Sequence, residues 1–535
     1  MTETSIFTYK ARVHVTPEQD ALLSAWAELH GRAERRFASA FLRGEKLSSA
    51  HCLFKSIRDE MGLSDRNAGA ALVSADGKVQ AAKEARKRHV SDLQGKISRA
   101  EKVLAKPRKQ RPMKPDVIHQ KRRRLATLRA RLSAIQTEMR PKLVFGSRKL
   151  LHAQFDLAAN GFANHAEWRK AWLAARSGEI MITGRNSEAS GNLTCRASFD
   201  GDAFALTLRV PYALEAQFGK HLRLDGVNFH HGADAILAAI SAPETPSTKS
   251  QKATAPVTWC FVRPDDGKGW LVYVSTHVKA APVVTRREMG AIGADFNADH
   301  IAVSEIDRHG NPLPTRCKRI DLVTRGKTAN QRRELVRVAA KEIAEHARVV
   351  GKPVVIEKLD FAEKKRALEA VDTRRARMLS ALTYSAFAQA LRAACFRAGV
   401  EVIEVNPAWT SVIGAVNYAT KTGLSVHLAA AVAIARRGLS YRETAVGRSA
   451  KTPNGRGGHV TFALPDRNRA KHVWSHWAAI SRARQAAIKS HFLSLRKRRT
   501  ADKSLDEDRK FLQEFMAATP CANRAQSGSE RVHAQ

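Results

Sequence analysis

Cysteine is scarce: six residues in 535, Cys52, Cys195, Cys260, Cys317, Cys395 and Cys521, with no C-x-x-C pair among them. That scatter supplies neither a disulfide framework nor a zinc ribbon, and it suits a reducing cytoplasm. Long apolar runs are missing as well, since no eighteen consecutive residues are both apolar and uncharged. The amino-terminal MTETSIFTYKARVHV has no apolar signal-peptide core, so the expectation is a soluble intracellular protein without a membrane partner. Acidic residues are few beside basic ones: 51 Asp plus Glu against 91 Lys plus Arg, a net charge of +40. Such a field draws in polyanions. A packing protein of the ribosomal or chromatin kind would share the charge, but 44% hydrophobic content points instead to folded domains with a sizeable core. A folded nucleic-acid enzyme or binder is the expected class.

What is present falls into three patterns. Residues 5–15 alternate as a strand, and Thr16-Pro17-Glu18-Gln19 starts a helix with a cap, a proline in the first turn and a capping box. Helical periodicity then runs to about Asn160. One apolar stripe is Leu93, Ile97 and Leu104, and a second is Leu125, Leu128, Leu132 and Ile135. Between them lies a proline-broken basic stretch with Lys109 and Arg111, followed by Lys121, Arg122, Arg123 and Arg124. This predicts an antiparallel helical hairpin with a basic tip. Those six cations are the candidate nucleic-acid contacts, the alternative being a solvated helix face.

Between about 178 and 280 the period shortens to that of strands, with turns at Asp200-Gly201-Asp202 and Asp265-Asp266-Gly267. The expectation is a small β-barrel, residues 1–16 and 178–285, with the helical region 17–177 inserted into it. Ser241–Pro256 reads as a loop.

From Gly290 the chain turns α/β. GAIGADFNADHIAVSEID reads as a buried strand ending at Asp295, a tight turn and a second strand. Val354-Val355-Ile356-Glu357 repeats the device, an apolar strand with an acid at its carboxyl end, and His427 opens an Ala-rich buried helix. Three strands, helix, strand, helix, strand, helix is the order of an RNase H-like domain, in which the acid ending the first strand is a catalytic metal ligand. This domain is expected over 286–445. Residues 446–535 read as a basic, partly disordered region, with a loop at 449–459 and a helix over 470–495; the charged stretch from Arg496 carries no assigned chemistry.

The chain resembles the transposon-encoded OrfB proteins called TnpB, relatives of the type V CRISPR effectors. The resemblance is carried by GADFNADHIAVSEID, by VVIEKLDFAEKKR, and by GVEVIEVNPAWTS through LSVHLAAAVAIARR. FGSRKLL at 145–151, the Trp168 and Trp172 region and ITGRNSEASGNL at 182–193 add to it. It implies an amino-terminal β-barrel (wedge) with an inserted helical recognition lobe, then a RuvC nuclease domain, in a multidomain α+β chain. It also implies a guide RNA and a double-stranded DNA target in a prokaryotic cytoplasm, at the nucleoid. By position Asp295 and Glu357 match the first two RuvC carboxylates. At the third position the family often has Asp, and this chain has His427. Where the family often has zinc-ribbon cysteines, this chain has Gly414 and Asn417, so no zinc is expected.

Phosphodiester hydrolysis with two Mg²⁺ ions needs oxygen ligands that bring the metals close together. Asp295 and Glu357 would supply them, and His427 would bring a nitrogen that suits Mn²⁺ better than Mg²⁺. The leading expectation is an RNA-guided, metal-dependent DNA endonuclease with Asp295, Glu357 and His427 as catalytic and metal-binding residues. The alternatives are a guided DNA-binding protein that no longer cuts, and a transposase acting on transposon ends.

Overall fold

The computed structural model describes residues 4–45, 51–105, 115–185, 188, 191–241, 256–264, 266–297, 299–323, 326–358 and 381–498. Lys109, Arg111, Cys521 and the basic 363–377 stretch lie outside them. The chain divides into two units, Met1–Lys279 and Ala280–Gln535.

In the first unit β1 (Thr4–Val13) leads into α1 (Pro17–Arg43). The capping box is present: Thr16 Oγ1 accepts from Gln19 N at 3.2 Å, and Gln19 Oε1 accepts from Thr16 N at 2.9 Å. The short α2 (His51–Glu60) precedes α3 (Asp65–Ala105) and α4 (Pro115–Thr137). Arg129 reaches Glu101 while Arg86 reaches the carbonyl of Ile135, so α3 and α4 run antiparallel as the two stripes predicted. Leu93, Leu125 and Leu128 are buried. Then come α5 (Arg148–Ala153) and α6 (His165–Ala175), whose Trp168 and Trp172 stack at 6.1 Å.

The expected closed barrel is not found. The strands β2 (Glu179–Ile182), β3 (Cys195–Phe199), β4 (Phe204–Arg209), β5 (His221–Val227), β6 (Thr258–Val262) and β7 (Trp270–Lys279) form two antiparallel sheets, β1-β7-β6-β2 and β3-β4-β5. Among the described residues no ladder joins them. Their inner faces share one core around Phe204, Trp259, Phe261 and Trp270, which α1 fills with Leu23 and Trp26. Two further helices that the strand-like pattern hid, α7 (Tyr212–Phe218) and α8 (Ala233–Ile240), flank β5, and Ile236 and Ala239 of α8 take core positions. Side chains from helices occupy the space that closure would otherwise require strands to enclose.

Under α1 the core is not wholly apolar. His30 is buried, its Nε2 has no hydrogen-bond partner, and burial pushes its pKa down to about 4. Glu34 nearby accepts from the Ser74 hydroxyl and pairs with Lys78 at 2.6 Å, and Lys78 also reaches Glu179 at 3.1 Å. A base whose folded pKa lies below its unfolded value of about 6.5 favours folding above that value and loses the contribution as pH falls towards 4. This unit is therefore expected to lose on the order of 3 kcal/mol between pH 6.5 and 4 from this one group. Denaturant unfolding monitored across that range checks it: His30→Phe should flatten the dependence, and an equally steep curve in the variant would contradict the assignment.

The second unit is built on β8 (Ala291–Phe296), β9 (His300–Ile306), β10 (Lys318–Asp321), β11 (Val354–Glu357) and β12 (Val402–Val405). Their spatial order is β10-β9-β8-β11-β12. The first three are antiparallel, and β11 runs parallel to both β8 and β12. Helices α9 (Ala329–Val350) and α10 (Ala381–Ala398) interrupt the strands in the expected order. Alternation along the strands divides the core in two. Ile292, Ala294, Val354 and Ile356 pack with Ile343 of α9 and Leu391 of α10. Ala291 and Val355 face the other way, onto α13 (Val426–Gly438) through Ala429 and Val432. Before α13 the chain makes α11 (Thr410–Ile413), one π-turn at Gly414–Tyr418 and α12 (Ala419–Thr422). On β9, Glu305 is buried with Lys352 at 2.6 Å and Arg316 at 3.1 Å; burial raises its pKa, but those two cations more than offset it and hold the carboxyl below the usual range.

The stretch read as a loop at 449–459 is instead part of a hairpin, β13 (Ser449–Pro453) with β14 (His459–Ala463), and α14 (Val473–Arg498) follows. Polar residues on its outer face hid the alternation, since only Thr452, Val460 and Phe462 turn inward to full burial.

Candidate active site

Asp295 is the fifth residue of β8, opposite Ala302 of β9. By alternation it lies on the Ala291 and Gly293 side of the sheet, the side α13 covers. It is 8% exposed, and its Oδ2 accepts from Asn297 Nδ2 at 3.1 Å. The helix approaches closely because position 293 has no side chain: a Cβ there would lie 1.9 Å from the carbonyl oxygen of Ala431.

Glu357 ends β11. Ile356 pairs with Ala294, so Glu357 stands beside Asp295 on the neighbouring parallel strand, with the parity of Val355 and hence on the α13 side. Its Oε1 accepts from the Thr410 hydroxyl at 2.6 Å. Thr410 is placed by an uncommon backbone: Trp409 has φ 65°, a left-handed value for a bulky residue, held by burial of its ring. Arg437, on α13, is electrostatically coupled to Glu357; burial pushes its pKa down, and the carboxylates of Glu357 and Glu443 oppose that shift.

His427 is the second residue of α13, after Ser425, whose hydroxyl caps the helix by accepting from Leu428 N at 3.3 Å. The imidazole Nδ1 lies 3.3 Å from Asp295 Oδ2. The ring of His300 meets it edge to face at 4.8 Å, and His300 in turn contacts Asp299 Oδ1 at 2.7 Å.

Of the residues the sequence singled out, Asp295 and His427 are in contact. Glu357 joins them on the same face but turns its carboxylate to Thr410. Among the described residues no three or more His, Cys, Asp or Glu side chains are grouped to hold a metal ion. A divalent cation therefore finds two ligands together and the third one strand away. Lys121, Arg122, Arg123 and Arg124 lie on α4 of the first unit, the three arginines exposed, with no contact that ties them to chemistry. Gly414 and Asn417 sit in the π-turn, where Asn417 Nδ2 donates to Glu443 at 3.0 Å and the Tyr418 hydroxyl to the same carboxylate at 2.7 Å.

Asn297, His300, Asp299 and Thr410 were not singled out from the sequence. For Asn297 the signal was available in Asp-Phe-Asn, two residues on from the acid at a turn. For Thr410 there was none, because its partner is 53 residues away.

No protein-family model matches the chain, and no curated protein matches it. Among solved structures, T. thermophilus RuvC in complex with a Holliday junction substrate is 18% identical, over 28% of this chain and 90% of that one, with a TM-score of 0.21. A Cas12f1–sgRNA–target DNA complex is 10% identical over 81% of this chain and 99% of that one, TM-score 0.30. A CRISPR-Cas12f ternary complex is 12% identical over 82% and 100%, TM-score 0.19. All three scores are low, so the reading of the second unit rests on its strand order and register. No described helix is long and apolar enough to cross a membrane.

Proposed function

We propose that the chain is an RNA-guided, metal-dependent DNA endonuclease of the TnpB and type V effector kind, with a RuvC-like site at Asp295, Glu357 and His427. The observation that carries this reading is positional: two acids at the carboxyl ends of neighbouring parallel strands, with equal parity, on the face where His427 enters from α13. The +40 charge supports nucleic acid as the substrate class. In this reading 1–16 with 178–285 is the wedge, 17–177 the recognition lobe, 286–445 the nuclease and 446–535 a basic extension. Guide RNA and double-stranded target DNA are the partners, with base pairing reading the sequence.

Asp295, Glu357 and His427 would hold Mg²⁺ or Mn²⁺, and the bound ions would activate water and steady the leaving oxygen. The remaining steps belong to the chain itself. Asn297 fixes the Asp295 carboxylate by donating to Oδ2. His427, in contact with the same oxygen, is placed to hold or move a proton at Nδ1. Thr410 sets the rotation of the Glu357 carboxylate. Thr410→Val keeps the shape and removes that hydrogen bond, so cleavage should slow by roughly 10- to 100-fold and need more metal, with DNA affinity unchanged. Rates measured over a Mn²⁺ titration check it; an unaltered metal requirement would free Thr410 of the role.

A second reading, guided DNA binding without cutting, is favoured by one observation: the side chain that meets Asp295 is the imidazole of His427, where a carboxylate would suit Mg²⁺ better. Sequencing the RNA that copurifies with the chain, then offering plasmids with and without its complement, tests the guided reading. Binding and cutting confined to the complementary plasmid support it; equal treatment of both plasmids refutes guidance, and cutting by the wild type refutes the second reading.

A further inference from the structure

The folded part of the carboxyl-terminal region carries an interaction surface that the site does not use. Residues 446–498 contain twelve Lys or Arg and one acid, Asp466. The nearest other acid, Glu443, is already engaged by Arg436, Tyr418 and Asn417. A two-stranded hairpin has one face to bury, and here it turns Thr452, Val460 and Phe462 inward. Its outer face shows Ser449, Lys451, His459 and Thr461, with no carboxylate among them. At its tip Asn454 Oδ1 accepts from the backbone of Arg456 at 2.8 Å and of Gly458 at 3.0 Å. That closed turn presents an exposed Arg456, its guanidinium 5.3 Å over the Phe492 ring of α14. Arg467, Arg469 and Arg482 are also exposed.

This surface is rigidly joined to the elements that build the site. Phe462 of β14 and Trp477 and Ile480 of α14 share a core with Trp409, Val412 and Ile413 around α11, and with Ala433 of α13. The Trp477 indole donates to the carbonyl of Glu443 at 3.2 Å. Thr410 on α11 holds Glu357, and α13 carries His427. A polyanion lying on the hairpin is thereby held by the same packed body as the candidate site.

We propose that the outer face of β13–β14, with Lys451 and the Arg456 tip, binds the phosphate backbone of the DNA strand presented to Asp295. The proposal rests on the nuclease reading for the identity of the strand. Charge complementarity favours a nucleic acid, and continuity with the site's supporting helices favours the substrate strand over guide RNA.

The test uses the full chain with its copurified RNA, in EDTA so that no cutting occurs, and fluorescein-labelled target duplex titrated from about 50 to about 300 mM KCl. The variant is Lys451→Ala and Arg456→Ala together, both exposed. The expected result is an affinity loss of roughly tenfold or more at the low-salt end, a log affinity against log salt slope smaller by about one per phosphate contact removed, and an unchanged RNA yield. Unchanged affinity and slope would overturn the proposal, and so would a fall in RNA yield with DNA affinity intact, which would make RNA the occupant. Should the double variant not fold, Lys451→Glu alone is read against the same two outcomes. A wild type that never cuts, yet shows the affinity difference, keeps the surface and removes only the nuclease reading.

Discussion

Asp295→Asn is expected to lower target cleavage by about 10³-fold or more while leaving DNA affinity and melting temperature near those of the wild type. The substitution is isosteric, so the oxygen that accepts from Asn297 can stay in place and β8 keeps its register with β9. What it removes is the negative charge, at a position only 8% exposed, where solvent screens little. A charge that gathers a divalent ion and fixes its place is worth several kcal/mol in a hydrolytic transition state, and about 4 kcal/mol corresponds to that 10³-fold. Single-turnover cleavage at saturating DNA, with binding measured in parallel, checks it. A variant that cuts within tenfold of wild type would place the chemistry elsewhere.

Gly293→Ala should damage the second unit more than any other one-carbon change in β8. The added Cβ meets the Ala431 carbonyl at 1.9 Å and the Ala435 amide at 2.9 Å, both backbone atoms of α13, so no side chain can swing aside. Either the helix lifts off the sheet or the strand shifts, and the cost reaches or passes the upper end of the roughly 1–3 kcal/mol typical of overpacking. The same lift would draw His427 away from Asp295, so cutting should fall along with stability. Gly77→Ala is the control: it lies in α3 with nothing within 4 Å of the added carbon, and should be neutral or stabilising by up to about 1 kcal/mol. Thermal unfolding of the two variants decides the matter, and a Gly293→Ala protein as stable as wild type would mean that α13 does not pack as closely as this fold requires.

The second unit was legible because its strands carry their partners in the sequence. Ala291–Ala294 and Val354–Ile356 are continuous apolar runs, as strands covered on both faces must be, and each ends in an acid, so the positions of Asp295 and Glu357 followed from local pattern alone. His427 was legible through the Ala-rich helix it opens. The first unit was read less well. Ala233–Ile240 is short and apolar but for Asp234, a pattern that does not separate strand from helix, and its helix takes core positions that a closed barrel would give to strands. The carboxyl-terminal hairpin escaped notice because only three of its residues turn inward to full burial. Thr410 and His300 meet Glu357 and His427 on other elements, and no local spacing announces such a contact.

In the proposed function, Asp295, Glu357 and His427 form one metal-dependent cutting site served by a guide. The most direct measurement is cleavage of a randomised-flank plasmid library by the chain with its copurified RNA, in Mg²⁺ and Mn²⁺ in parallel. RNA-dependent cutting is expected, stronger in Mn²⁺ because His427 brings a nitrogen where a carboxylate oxygen would suit Mg²⁺. Target binding with no cutting in either metal would contradict it.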